Sequence, residues 1–125
     1  MNTTSDNPLG VAGFEFVEFA APDASMLHAL FRQMGFTPIA RHQSLAISLY
    51  RQGGINFMVN EEPGSFASQF AELHGPCCTG FGLRVSNART AYDVTVSRGA
   101  ESMTEVDATA LDCPRIRGIG GSVLY

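Results

Sequence analysis

The stretch Gly13-Phe14-Glu15-Phe16-Val17-Glu18-Phe19-Ala20 sets the fold, because it opens a unit that the chain then repeats. Aromatic and β-branched residues fill it, which suits a buried strand with Phe14 and Phe16 on one face and Val17 and Phe19 on the other. Pro22-Asp23 ends the strand and offers a helix N-cap, since a carboxylate accepts hydrogen bonds from the free amides of a first turn. Leu27, Leu30, Phe31 and Met34 follow at i, i+3, i+4 and i+7, one apolar stripe on a helix. Gly35 stands where the helix end needs a left-handed residue.

Outward from this unit, strands are predicted over about 37–42, 45–51 and 55–60, with Gln52-Gly53-Gly54 as the hairpin turn between the last two. Asn60-Glu61-Glu62-Pro63-Gly64 is a polar break, and Ser65 caps a connector helix of about 65–74 whose Phe66, Phe70 and Leu73 share a face. The pattern then restarts. Gly80-Phe81 opens a strand running through Val85, and Asn87 takes the capping role of Asp23 ahead of a helix ending at Gly99, at the same distance as Gly35 from Asp23. Val94, Thr95 and Val96 disfavour a helix by local propensity, and the repeat overrides them. Further strands are expected at about 101–106, 111–117 and 122–125, the turn Gly118-Ile119-Gly120-Gly121 preceding the last. The fold class is therefore α+β, with a flexible leader over 1–12 and one domain over 13–125 made of two βαβββ units, about 13–60 and 79–125. The final strand is a stub, expected to continue past Tyr125.

A chain of 125 residues with 45% apolar content can build one core without disulfides or structural metal. The net charge of −4 comes from 12 acidic against 8 basic residues, and all the basic ones are arginine. No basic stripe follows, which argues against nucleic acid and anionic membranes as partners. Cys77, Cys78 and Cys113 are odd in number and two are adjacent, a layout that suits reduced thiols in a cytoplasm better than a secreted disulfide framework. The polar start, and the absence of any apolar run of the ~20 residues that span a bilayer, point to a soluble protein with no signal peptide.

Asn7-Pro8-Leu9-Gly10, the strand at Gly13, Met34-Gly35-Phe36, Leu49-Tyr50-Arg51-Gln52-Gly53, Ile55-Asn56-Phe57, His74-Gly75-Pro76 and Ile116-Arg117-Gly118-Ile119-Gly120-Gly121 together resemble the amino-terminal domain of bacterial 4-hydroxyphenylpyruvate dioxygenases. The resemblance implies the vicinal oxygen chelate fold, in which paired βαβββ units curl into a half-open mixed-sheet barrel. It also implies a parent enzyme that converts 4-hydroxyphenylpyruvate and O2 to homogentisate and CO2 in tyrosine catabolism. Non-haem Fe(II) would be held by two histidines and a glutamate of a carboxy-terminal domain beginning after Tyr125. That domain is the expected partner, along with further copies of the chain in a homo-oligomer. Two alternatives remain: a stand-alone ligand-binding module of the same superfamily, and the dioxygenase-like part of a dehydroshikimate dehydratase fusion, for which Met1 leaves little room upstream.

Metal-bearing members of the superfamily would place ligands near Phe16, near Gly80, near Met58 or Val59, and at or beyond the chain end. None of these residues offers an imidazole or carboxylate. No catalytic, cofactor-binding or metal-ligating residue is therefore assigned, and Fe(II) belongs to the parent alone. His28, His42 and His74 lack ligand spacing and read as surface or half-buried histidines. Cys77 and Cys78 point to opposite faces and read as buried thiols, while Cys113 has no neighbouring base to make it a nucleophile. Gly118-Ile119-Gly120-Gly121 precedes a strand, so it reads as a turn and not a phosphate loop. Glu15 and Glu18 fall on opposite faces, and Glu18, sharing a face with Phe14 and Phe16, would line the concave side.

Overall fold

The aromatic stretch forms the central strand β1 (Val11–Ala20), followed by helix α1 (Ser25–Gln33) and strands β2 (Thr37–Arg41), β3 (Ile47–Gln52) and β4 (Ile55–Asn60). Helix α2 (Phe66–His74) leads to β5 (Cys77–Val85), α3 (Ala88–Ser97), β6 (Ile116–Arg117) and β7 (Val123–Leu124). This computed structural model describes residues 6–103 and 107–125. Among these, seven strands make one open mixed sheet in the order β2-β3-β4-β1-β5-β7-β6. β1 and β5 run antiparallel at the centre, and each takes its own unit's last strand as a parallel neighbour, β4 beside β1 and β7 beside β5. The repeat seen in the sequence is thus a repeat of topology.

Asn87 caps α3 as expected by accepting from the Thr90 amide, whereas the residue at the N-cap of α1 is Ala24, and Asp23, one position earlier, accepts from the Ser25 amide. Gly35 and Gly99 end them at φ of +94° and +107°, a region open to glycine at little cost. In the first unit Leu27 and Phe31 press on Phe36, Tyr50 and Val59, with Phe19 and Phe57 packed beside them. The Phe31 ring lies 5.1 Å from both Phe19 and Phe57, and Phe36 stacks on Phe57 at 4.4 Å. Each such side chain contributes about 2–3 kcal/mol by leaving water.

Several expectations are corrected. Leu30 and Met34, placed on the buried stripe, are 42% and 50% exposed, because only Leu27 and Phe31 of this nine-residue helix reach the sheet. Phe14 and Phe16 lie on opposite faces. Their partners on β5 are the adjacent residues Leu83 and Gly82, so Glu15 is a bulged extra residue that flips the alternation. In α2 the buried face is Ala67 and Ala71, packed on Ala20, whereas Leu73 is exposed. Within the leader, the Asn7 side chain both donates to the Val11 carbonyl and accepts from its amide, which ties the approach to β1. Cys78 is exposed and Cys77 half-buried, so the pair is not a buried-thiol pair.

The second unit is sparser than predicted. Residues 104–106 of the expected strand lie outside the described residues, and Ser102 makes only an isolated bridge to Ile116. Of 111–117 only Ile116–Arg117 is strand. The Cys113 amide closes a tight turn onto the Leu111 carbonyl, and Pro114 has no amide to give a ladder.

Candidate functional site

Below the sheet, on the face away from α1, the strands converge on Glu18. Phe19 points to α1 and its neighbours Glu18 and Ala20 point the other way, as strand alternation requires. The Glu18 carboxylate is fully buried. It accepts hydrogen bonds from Asn60 Nδ2 of β4 at 3.2 Å and from Thr79 Oγ1 of β5 at 2.7 Å. The hydroxyl of Tyr125, the residue after β7, donates to both oxygens at 3.0 and 3.1 Å. Local backbone geometry positions each donor. Thr79 is the extra residue of a bulge opposite Glu18, and Tyr125 is gripped by β5, its amide donating to Phe81 and its carbonyl accepting from Leu83. Asn60 is oriented because its side-chain oxygen accepts the Glu62 amide.

A buried carboxylate is costly unless its lone pairs are filled, and here neutral donors from β4, β5 and the residue after β7 fill them. Burial, and then the nearby Glu18 charge, push the Tyr125 phenol well above its ordinary pKa, which keeps it a donor. The Tyr125 ring rests 5.3 Å from Phe16, which lies flat over Gly82 where any Cβ would strike it. Burial likewise raises the thiols of Cys77, Cys78 and Cys113, so none is primed as a thiolate nucleophile.

The positions named from the sequence have other occupations. Val59 is in the α1 core, Phe16 covers Gly82, and Gly80 leaves room for the Val123 carbonyl. The residues that meet are Glu18 and Asn60, one pleat beyond Phe16 and Met58, and the fourth strand's group is Tyr125, inside the chain. Glu18 does line the interior with Phe16, as expected, but Phe14 does not. Non-haem iron held by two imidazoles and a carboxylate does not fit here: the set has one carboxylate, no imidazole, and oxygens already committed to one another. No group of three His, Cys, Asp or Glu side chains among the described residues is placed to hold a metal.

The histidines act locally. His28 Nδ1 lies 2.5 Å from the Tyr50 hydroxyl and its Nε2 2.9 Å from Glu61. His42 Nδ1 accepts the Ser44 and Leu45 amides, and His74 lies against Phe70 in a tilted ring pair at 4.2 Å. Glu15 pairs with Arg84 at 2.5 Å on the surface, remote in role from Glu18. Gly118 to Gly121 form a turn, with Gly120 and Gly121 at positive φ. One feature had no sequence signal: a mostly apolar cleft of about 380 Å3 beneath α3, lined in part by Leu83, Val85, Tyr92, Thr95, Ile116 and Leu124.

One open mixed sheet of seven strands, with a complete βαβββ unit in the first half, a sparser β5-α3-β6-β7 unit in the second and the strands meeting at an interior point, defines a vicinal oxygen chelate-type domain. Methylmalonyl-CoA epimerase from Mycobacterium tuberculosis shares the fold at a TM-score of 0.71 and 19% identity, over 92% of this chain and 86% of that one. More narrowly, the chain belongs to the family described as "Hydroxyphenylpyruvate dioxygenase, HPPD, N-terminal", whose model matches residues 5–125. It is 45% identical over 121 residues to a 4-hydroxyphenylpyruvate dioxygenase of Pseudomonas sp. (strain P.J. 874), covering 96% of this chain and 34% of that protein. Hemolysin VllY of Vibrio vulnificus is 46% identical over 95% of the chain, again across 34% of its own length. A 3-dehydroshikimate dehydratase of Pseudomonas putida is 36% identical over 90% of the chain and 18% of its own length. A solved xylose isomerase-like TIM barrel/4-hydroxyphenylpyruvate dioxygenase fusion protein matches with a TM-score of 0.82 and 33% identity, over 92% of this chain and 19% of that one. The chain thus spans about a third of the length of the dioxygenase and hemolysin relatives.

Proposed function

We propose that the chain is the amino-terminal, non-metal-binding domain of a 4-hydroxyphenylpyruvate dioxygenase-like protein of the cytoplasm. The parent would convert 4-hydroxyphenylpyruvate and O2 to homogentisate and CO2 in tyrosine breakdown, with Fe(II) held by its carboxy-terminal domain. The observation that carries this is Glu18: where the strands converge, a carboxylate is closed off by neutral donors, an arrangement that consolidates a fold and offers no open position to a substrate. Relatives three times as long give the domain a neighbour to support. Exposed Phe14, Met26, Leu30, Met34 and Ile39 supply apolar surface for contact with that neighbour or with further copies. Homogentisate formation and Fe(II) affinity should be measured on the 125-residue chain and on a chain extended through the next domain. Only the longer protein is expected to bind iron and turn over; tight iron binding with turnover by the shorter chain would overturn the proposal.

The dehydratase match and the TIM-barrel fusion favour a second reading, in which the same domain precedes a dioxygenase-like half in a dehydratase-related parent. The reading frame on both sides of the segment separates the two.

A further inference from the structure

On the opposite face of the sheet from Glu18, a cleft of about 640 Å3 lies between α1 and the β2–β3 edge. Its construction follows from three periodicities. Ser25, His28, Ala29 and Arg32 stand at i, i+3, i+4 and i+7 and form one wall from a single helical face. Ser48 and Tyr50 alternate outward from β3 to form the floor. Across from them, a bulge at Ile39 brings both Pro38 and Arg41 onto this face, as register partners of Tyr50 and Ser48.

The charge on this cleft is of one sign. No carboxylate lines it, and neither Arg32 nor Arg41 takes part in an ion pair among the described residues. Glu61, which is not among the lining residues, accepts from Nε2 of His28 in the cleft wall. Through its Nδ1, His28 accepts the buried Tyr50 hydroxyl, which fixes the wall. The Arg32 guanidinium sits over the Tyr50 ring, 5.9 Å from its centre, within reach of a cation–π contact that holds it at the cleft. In a chain of net charge −4, this pairing of guanidiniums stands against the overall field. Ala29, Pro38 and Ala40 add apolar surface beside it.

We propose that this cleft binds a small organic oxyanion, its charged group held between Arg32 and Arg41 and its hydrocarbon part on Pro38, Ala29 and Ala40. Guanidinium forks match the planar oxygens of a carboxylate and the tetrahedral ones of a phosphate ester alike. The proposal does not depend on the parent's chemistry.

The test is an NMR titration of the chain at fixed ionic strength with benzoate, phenyl phosphate and the neutral benzyl alcohol. Saturable shifts at Ser25, Ser48 and the arginine Nε signals are expected with at least one anion, and which anion binds assigns carboxylate or phosphate chemistry. Arg32→Gln and Arg41→Gln, both at exposed positions, should each weaken binding about tenfold, as loss of a charge-assisted hydrogen bond does. Arg98→Gln removes an equal charge near the end of α3 and should leave binding unchanged. Absence of saturation with both anions overturns the proposal, as does equal binding of benzyl alcohol or an equal loss in Arg98→Gln.

Discussion

The two units share a topology and differ in what fills it. Matching the helix caps carries Leu27 onto Ala91, Phe31 onto Thr95 and Phe36 onto Ala100. The first set makes an aromatic core; of α3, only Ala91 is buried, and Thr95 turns its hydroxyl back to the Ala91 carbonyl. The cleft beneath α3 is the volume those smaller residues do not occupy. One open sheet thus joins a half filled by aromatic side chains to a half with far less hydrophobic filling.

The sharpest way to break this contrast is at the matched positions. Phe31→Ala should cost about 3–5 kcal/mol in urea unfolding, and Thr95→Ala less than about 1; equal costs would mean that the second unit is as tightly filled as the first. The junction comes next. Glu18→Ala leaves Asn60, Thr79 and Tyr125 without their buried acceptor and should cost about 3 kcal/mol, while Glu18→Gln, which turns an amide N–H toward those donors, should recover only part.

A smaller effect depends on pH. Because the Tyr125 phenol is raised in the folded chain, its contribution is complete below the unfolded value of about 10 and is lost as pH climbs above it. Stability should fall on alkaline titration. Tyr125→Phe should flatten that fall and cost about 1 kcal/mol at neutral pH. The raised thiols titrate with the same sign from lower pH, so the comparison with Tyr125→Phe isolates the phenol. A change of opposite sign is expected from Thr95→Leu, which puts apolar volume into the cleft and should add about 1 kcal/mol, read as a rise in Tm.

The first unit was legible in the sequence because its large side chains recur at short periods, and the helix ends along the chain were legible because Gly35, Ser65, Asn87 and Gly99 act as their residue types predict. The bulges at Glu15, Ile39 and Thr79 were not legible, since one extra residue in a strand leaves no compositional mark and yet reverses every face beyond it. The interior site was half visible. Glu18 stood out as a charge within an aromatic strand, but its partners lie 42, 61 and 107 positions along the chain, and only the folded register joins them.

Helix α2 meets the sheet through Ala20, Ala67 and Ala71, three methyl groups with no torsion to adjust. Such a seat leaves little room: a larger side chain at any of these places would overpack the contact and shift the helix against β1, two residues from Glu18. The segment joining the halves is therefore seated directly against the strand that carries Glu18, the most buried charged residue among those described.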